Sequence, residues 1–406
     1  MHFTMKTFGA ALALAGASQA GPVLVKRQDV GFGRFNASIE DFGEHAHSVA
    51  LSRLAANSTC TADKISVRKS WHNLNPEERV AYTDAVLCLQ SKEAKTPSNL
   101  AEGAKTRFDD WIVTHINQTF TIHQTANFLG WHRWFIWEHE QALRNECGYE
   151  GTLPYWDWAR TAEEGLANSP LFDGSATSLS GDGAPLNYTA DDKVVINAQF
   201  GAAIVNLPPG TGGGCVTSGP FVNYTVNLGP SGLATLNGAT DNSSFPYKHN
   251  PRCLKRSLTD YANQRFANSS SVLSLLREPQ DIYSFELMMQ GDPRYPELGV
   301  HGGGHFSIGG DPGRDVFVSP GDPAFYLHHA EIDRVWWLWQ MQDPETRIAD
   351  WTSAVNGPLT MANMTAPFGN GTAQDVQELG FIAEGRTHLL GELLDASAND
   401  FCYVYV

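Results

Sequence analysis

Basic side chains are scarce in this 406-residue chain: 28 Lys and Arg stand against 44 Asp and Glu, a formal charge of −16. A surface that acidic repels phosphate backbones, which excludes nucleic acid as a partner. Beyond the first twenty residues no apolar run approaches the roughly 20 residues of a membrane span, so no membrane association is expected. Repeats, low-complexity stretches and a hinge-like linker are absent too, which favours one domain over two despite the length. No C-x-x-C occurs among the six cysteines, which argues against a thiolate metal site.

What is present begins with a leader. Residues 1–20 carry Lys6, an apolar run from Phe8 to Ala17, and Ser18 and Ala20 at an A-x-A-like cut, the pattern of a secretory signal peptide. Lys26–Arg27 ends a short propeptide over 21–27, so the expected mature domain spans 28–406. Removing three basic and no acidic side chains takes the charge to −19. An even cysteine count in an oxidising compartment implies three disulfides, with 15 connectivities open. Nine N-x-S/T sequons (Asn36, Asn57, Asn117, Asn187, Asn223, Asn242, Asn268, Asn363, Asn370) fit a secreted glycoprotein. Asn117 is the doubtful one, because it follows a candidate ligand by two residues.

Apolar spacing of three and four predicts helices over 76–90, 102–116, 131–146 and 323–340, then around 252–266 and 271–290. Between Asn168 and Pro251 the composition turns to Gly, Ser, Thr, Asn and Pro, so loop with short strands at most is expected there. The fold class is mainly α, with long irregular surface loops.

Fourteen histidines cluster. His115, His123 and His132 form one group. On a single regular helix His123 and His132 would face opposite ways, so His123 must fold back from a loop, with His132 in the first turn of the next helix. His139, two turns beyond His132, lies about 10 Å along the axis and is read as structural. The second group is His301, His305 and the pair His328–His329. His301 and His305 share one face at i, i+4 spacing, although the three glycines between them are poor helix formers. Asp333, four residues after His329, is expected to orient that ring, which favours His329 as the ligand and leaves His328 as its neighbour. All-imidazole sets suit zinc or copper, and two matched sets suggest a dinuclear centre.

These segments resemble the type-3 copper tyrosinases and catechol oxidases. "THINQTFTIHQTANFLGWHRWF" is similar to their copper-A region, and "HGGGHF" with "DPAFYLHHAEIDRVWW" to copper B; "PYWDW" at 154–158 is a further family motif. The resemblance extends over 28–406 and is nearest the short fungal enzymes. It implies a tyrosinase-like four-helix bundle and two copper ions, with O2 as co-substrate. Copper A would be held by His115, His123 and His132, and copper B by His301, His305 and His329. The implied reaction is oxidation of o-diphenols to o-quinones, with monophenol hydroxylation as a weaker expectation. Small phenols are the expected partners, and the expected state is a monomer or weak homodimer. A haemocyanin-like oxygen carrier is the alternative, disfavoured by length and by the small residues over copper B; a zinc hydrolase is a more remote one.

The resemblance also implies that Arg68 pairs with Tyr403 and Tyr405, tying the amino end to the end of the domain. Cys60–Cys402 would then join the same two ends, with Cys88–Cys147 and Cys215–Cys253 completing the set. No lid domain is expected after Val406. Three positions depart from the family pattern. Thr121 replaces the cysteine that forms a thioether. Gly302 stands where many monophenol-hydroxylating members carry Asn. The acid that shares a water with that Asn has no clear match; Gln290 is nearest, with Glu286 and Glu297 as alternatives. Phe306 is expected as a wall of the substrate pocket, Val316 or Val318 as the gate over copper A, and the glycines as its floor.

Overall fold

Helices carry this fold, and local chemistry sets their ends. The computed structural model describes residues 36–54, 60–196, 203–241, 245–363 and 370–406; the segments expected as leader and propeptide and the sequons at Asn57 and Asn242 lie outside them. The helices that matter here are α1 (Ile39–Leu54), α2 (Pro76–Ser91), α3 (Asp109–Ile122), α4 (Phe128–Cys147), α5 (Trp158–Glu164), α6 (Asp260–Phe266), α7 (Ser269–Arg277), α8 (Ile282–Gln290), α9 (Gly299–Ile308) and α10 (Ala324–Gln340). Asn75 and Glu78 close a reciprocal capping box on α2, with Pro76 in its first turn. Gly148, at φ 68°, stops α4 in the left-handed conformation.

Three expectations shift. The helix expected over 102–116 begins at Asp109 and runs to Ile122, because Gly103 donates its N–H to Tyr247 and 105–106 donate to the Asp109 carboxylate. Only the end of 252–266 is helical, since Arg252–Cys253 pairs as a strand with Thr225–Val226. The long helix over 271–290 divides into α7 and α8 around Pro279, which has no N–H to donate to a continuing helix. As expected, the described residues between 168 and 251 hold only two- to four-residue strands.

α4 packs on α3 and α10, and α10 packs on α9, forming the central bundle. Every residue of α10 is buried, polar ones included. Ser66–Arg68 runs parallel to Tyr403–Tyr405. Arg68 donates to the Tyr405 hydroxyl at 3.0 Å and lies over the Tyr403 ring, as the resemblance implied, and it also pairs with Glu140 at 2.7 Å. All six cysteines are paired, as Cys60–Cys402, Cys88–Cys147 and Cys215–Cys253. That leaves none for a thioether, and Thr121 is an exposed residue on α3. Asn117 is exposed as well, so its closeness in sequence to His115 does not bury it.

Candidate metal centre

Two consecutive helices and the bend between them assemble the first imidazole group. His115 sits in the middle of α3, His123 ends it in extended conformation (φ −123°, ψ 142°), and His132 lies in the second turn of α4. The bend folds His123 back, so the ring centres of His115, His123 and His132 are 5.0–5.8 Å apart. Each Nδ1 is fixed on a main-chain carbonyl: His115 on Phe317 (2.9 Å), His123 on Thr119 (2.9 Å) and His132 on Phe128 (2.8 Å). A hydrogen on Nδ1 leaves the Nε2 lone pair free, the arrangement a metal ligand needs. The Nε2 atoms of His115 and His132 are buried and have no partner among the described residues.

The second group stands on α9 and α10. His301 also buries an unpartnered Nε2, and His329 Nε2 lies 3.4 Å from His305 Nε2. Between the groups, the ring of His132 stacks on His329 at 4.5 Å and that of His123 on His301 at 5.8 Å. Within each group one nitrogen per residue comes within 4.8 Å of the others. Burial drives all six imidazoles below the usual histidine range, His123 to about 4 and His305 to about 3. All are therefore neutral near pH 7, so their unpartnered buried nitrogens have lone pairs for two cations. Without an ion those nitrogens would be desolvated polar atoms with no compensation.

His328 falls beside the second group but is committed elsewhere. Its Nε2 meets the His301 carbonyl at 2.9 Å, and its ring abuts the backbone at Gly304. A Cβ on Gly304 would lie 2.2 Å from that ring, and one on Gly303 2.7 Å from Phe266. Two of the three glycines thus let α9 approach α10 and α6 closely. The expected open floor holds only for Gly302, which lines the cavity above the imidazoles.

Residues 105–342 match the common central domain of tyrosinase. The chain belongs to the tyrosinase family. It is 41% identical over 363 residues to tyrosinase P of Aspergillus terreus, covering 88% of this chain and 97% of that one. An N-acetyl-6-hydroxytryptophan oxidase of Emericella nidulans is 39% identical over 357 residues, 85% of this chain and 93% of the relative. A glycine-to-asparagine variant of polyphenol oxidase from Thermothelomyces thermophila superposes with a TM-score of 0.81 at 41% identity, covering 90% and 97% of the two chains. The tyrosinase-like fold follows, and with it the family's dinuclear type-3 copper centre and oxidoreductase activity.

Tyrosinase-family expectations for individual side chains fare unevenly. Asp333 does not orient His329, whose Nδ1 has no partner. Its carboxylate instead accepts from Arg133 (2.6 Å), Tyr403 (2.7 Å) and Tyr405 (2.6 Å), because buried guanidinium and phenol donors outcompete a neutral imidazole. Val316 lines the cavity, whereas Val318 is fully buried beneath Gly229 and cannot gate it. Phe306 lines the cavity as expected. Gln290 does so too, and accepts from the backbone N–H of Gln124 at 2.7 Å. That bond holds Gln124 at φ 52°, in the turn that aims His123. Glu286 is buried on α8, its carboxyl pushed well above the usual range by desolvation and accepting from the Leu129 N–H, outside the cavity lining. Glu297 lines the mouth beside Arg265, 3.9 Å away. Phe325 stands within the DPAFY stretch but sequence reasoning gives it no role; stacked on His329 at 4.1 Å, it supports that ring.

Proposed function

We propose that this protein is a secreted polyphenol oxidase that converts o-diphenols to o-quinones. Two catechols and one O2 would give two quinones and two waters. One copper would be held by His115, His123 and His132, the other by His301, His305 and His329. Bound copper would supply the oxygen-binding site and accept the electrons. The observation that carries this reading is the pair of imidazole groups facing each other beneath one cavity of about 510 Å³.

The chain's own residues do the remaining work. The carbonyls of Phe317, Thr119 and Phe128 hold the first three rings in the tautomer that exposes Nε2. Gly302 leaves space for a phenol ring, and Phe306 offers it an apolar wall. An asparagine in place of Gly302 would add a side chain to hold a water as base for a phenol proton. Glycine cannot, so catechols are the preferred substrates and monophenols the poorer ones. The name of the Emericella relative adds a hydroxylated indole to the rings such a site can take. Copper-loaded protein assayed by oxygen uptake on 4-methylcatechol and 4-methylphenol tests the reading. Rapid uptake with the catechol supports it, and no uptake with either phenol sinks it.

Secretion is proposed on the leader, the Lys26–Arg27 pair and three disulfides. Amino-terminal sequencing of protein from culture medium should begin at Gln28. Glycans on exposed sequons and a monomeric or weakly dimeric state belong to the same proposal, read by mass spectrometry and light scattering.

A further inference from the structure

Among the described residues most guanidiniums withdrawn from solvent are held by acids, and Arg347 is held by the Trp339 carbonyl and ring. Arg68 pairs with Glu140, Arg133 with Asp333, Arg256 with Asp322 and Arg252 with Asp311. Arg314 forms no ion pair and no side-chain hydrogen bond with any described residue, and its Nε is buried without a partner. Yet it lines the cavity above the imidazoles. The acids nearby are taken. Asp311 gives both oxygens to Arg252, at 2.7 and 2.8 Å. Asp315 accepts from the N–H groups of Ser231, Gly232 and Phe317. Glu297, also on the wall, is exposed and stands beside Arg265.

A guanidinium stays protonated however deeply it is placed, so this is a largely desolvated positive charge with no ion pair of its own; the groups near enough to act on it are the Tyr188 hydroxyl and the Asp311 carboxylate, whose oxygens are spent on Arg252. Val195, Ile196, Leu298 and Phe306 give the cavity apolar walls, beside Gln124, Gln290 and the imidazoles of its floor. An apolar chamber with one unpaired cation is complementary to an aromatic anion. Planar, forked donors favour a carboxylate over a neutral group.

We propose that Arg314 is a specificity-determining residue that binds the carboxylate of the substrate, so that the preferred phenols carry an acid on a short side chain. The proposal rests on the oxidase reading for the fate of the ring, but not for the binding itself. Carboxylates also bind metals, so the decisive measurement uses copper-free protein. Calorimetric titration with 3-phenylpropanoate and with 3-phenylpropanamide should show the acid binding about tenfold to a hundredfold tighter. Arg314→Gln should erase that preference, and Arg314→Lys should restore part of it. Equal binding of acid and amide, or an acid preference that survives in Arg314→Gln, would overturn the proposal. A parallel assay on loaded enzyme compares kcat/KM for 3-(3,4-dihydroxyphenyl)propanoate with that for its amide. The ratio should fall about tenfold or more in Arg314→Gln. If no catechol is oxidised while the binding preference stands, the oxidase reading has failed and the anion site has not.

Discussion

His132 and His305 come from different groups: the His132 ring stacks on His329 of the other group, and His305 Nε2 lies 3.4 Å from His329 Nε2 within its own. Replacing either with alanine should lower bound copper below two per chain and remove oxidase turnover, read by metal analysis and oxygen uptake. His139→Phe is the control. That ring stacks on Tyr326 at 3.7 Å in a separate aromatic pocket with Phe108 and Trp111, so copper content should remain near two. At Gly302 an added Cβ would lie 3.0 Å from Leu298, a squeeze of a few tenths of an ångström. Gly302→Asn should therefore fold and narrow the catechol-to-monophenol rate ratio. The added bulk will slow both reactions, which makes the ratio the informative quantity. An unchanged ratio with copper still bound would show that water positioning at this residue does not set selectivity.

Among the elements, α9 depends most on its surroundings. Gly304→Ala would drive a Cβ into the His328 ring, and overpacking of this kind costs about 1–3 kcal/mol. The expected outcome is a lower melting temperature with copper lost first from the site on His301, His305 and His329. Why the three glycines sit there was not legible in the sequence, because the reason is distance to α6 and α10 rather than any local preference. The ligating histidines were legible, since their spacing and clustering survive without coordinates. So were α2, α4 and α10, marked by Pro76 and Pro323 at the starts of the first and last and by Gly148 at the end of α4, all local signals. α1 was missed because its buried stripe of Phe42, Ala46, Ala50 and Leu54 is half alanine, a weak signal. Asp333 was assigned to the wrong partner for a related reason. Four-residue spacing placed it near His329, while Arg133, Arg68 and the tyrosines that capture it come from far along the chain.

At the scale of the molecule, eight histidines, seven of them buried and His305 half-buried beside the cavity, make the metal-free protein sensitive to acid. His115, His123, His132, His139, His301, His305, His328 and His329 all titrate below the usual value because burial disfavours their charged form. An unfolded chain takes up those protons from about pH 6.5 downward, whereas the folded one does not until about 4 at His123 and about 3 at His305. Between those limits unfolding binds more protons, so stability must fall as pH falls. The melting temperature of copper-free protein should thus drop steadily from pH 7 to pH 5, and His139→Phe should flatten the slope. A melting temperature constant over that range would contradict the neutral, buried imidazoles described here. The glycines of α9 carry a last consequence, for the order of events in folding. A ten-residue segment with four glycines cannot nucleate a helix alone. It must form on a surface already supplied by α6 and α10, so the His301–His305 pair comes into register late, and the rate at which the folding chain becomes able to take up its second metal should time the closing step.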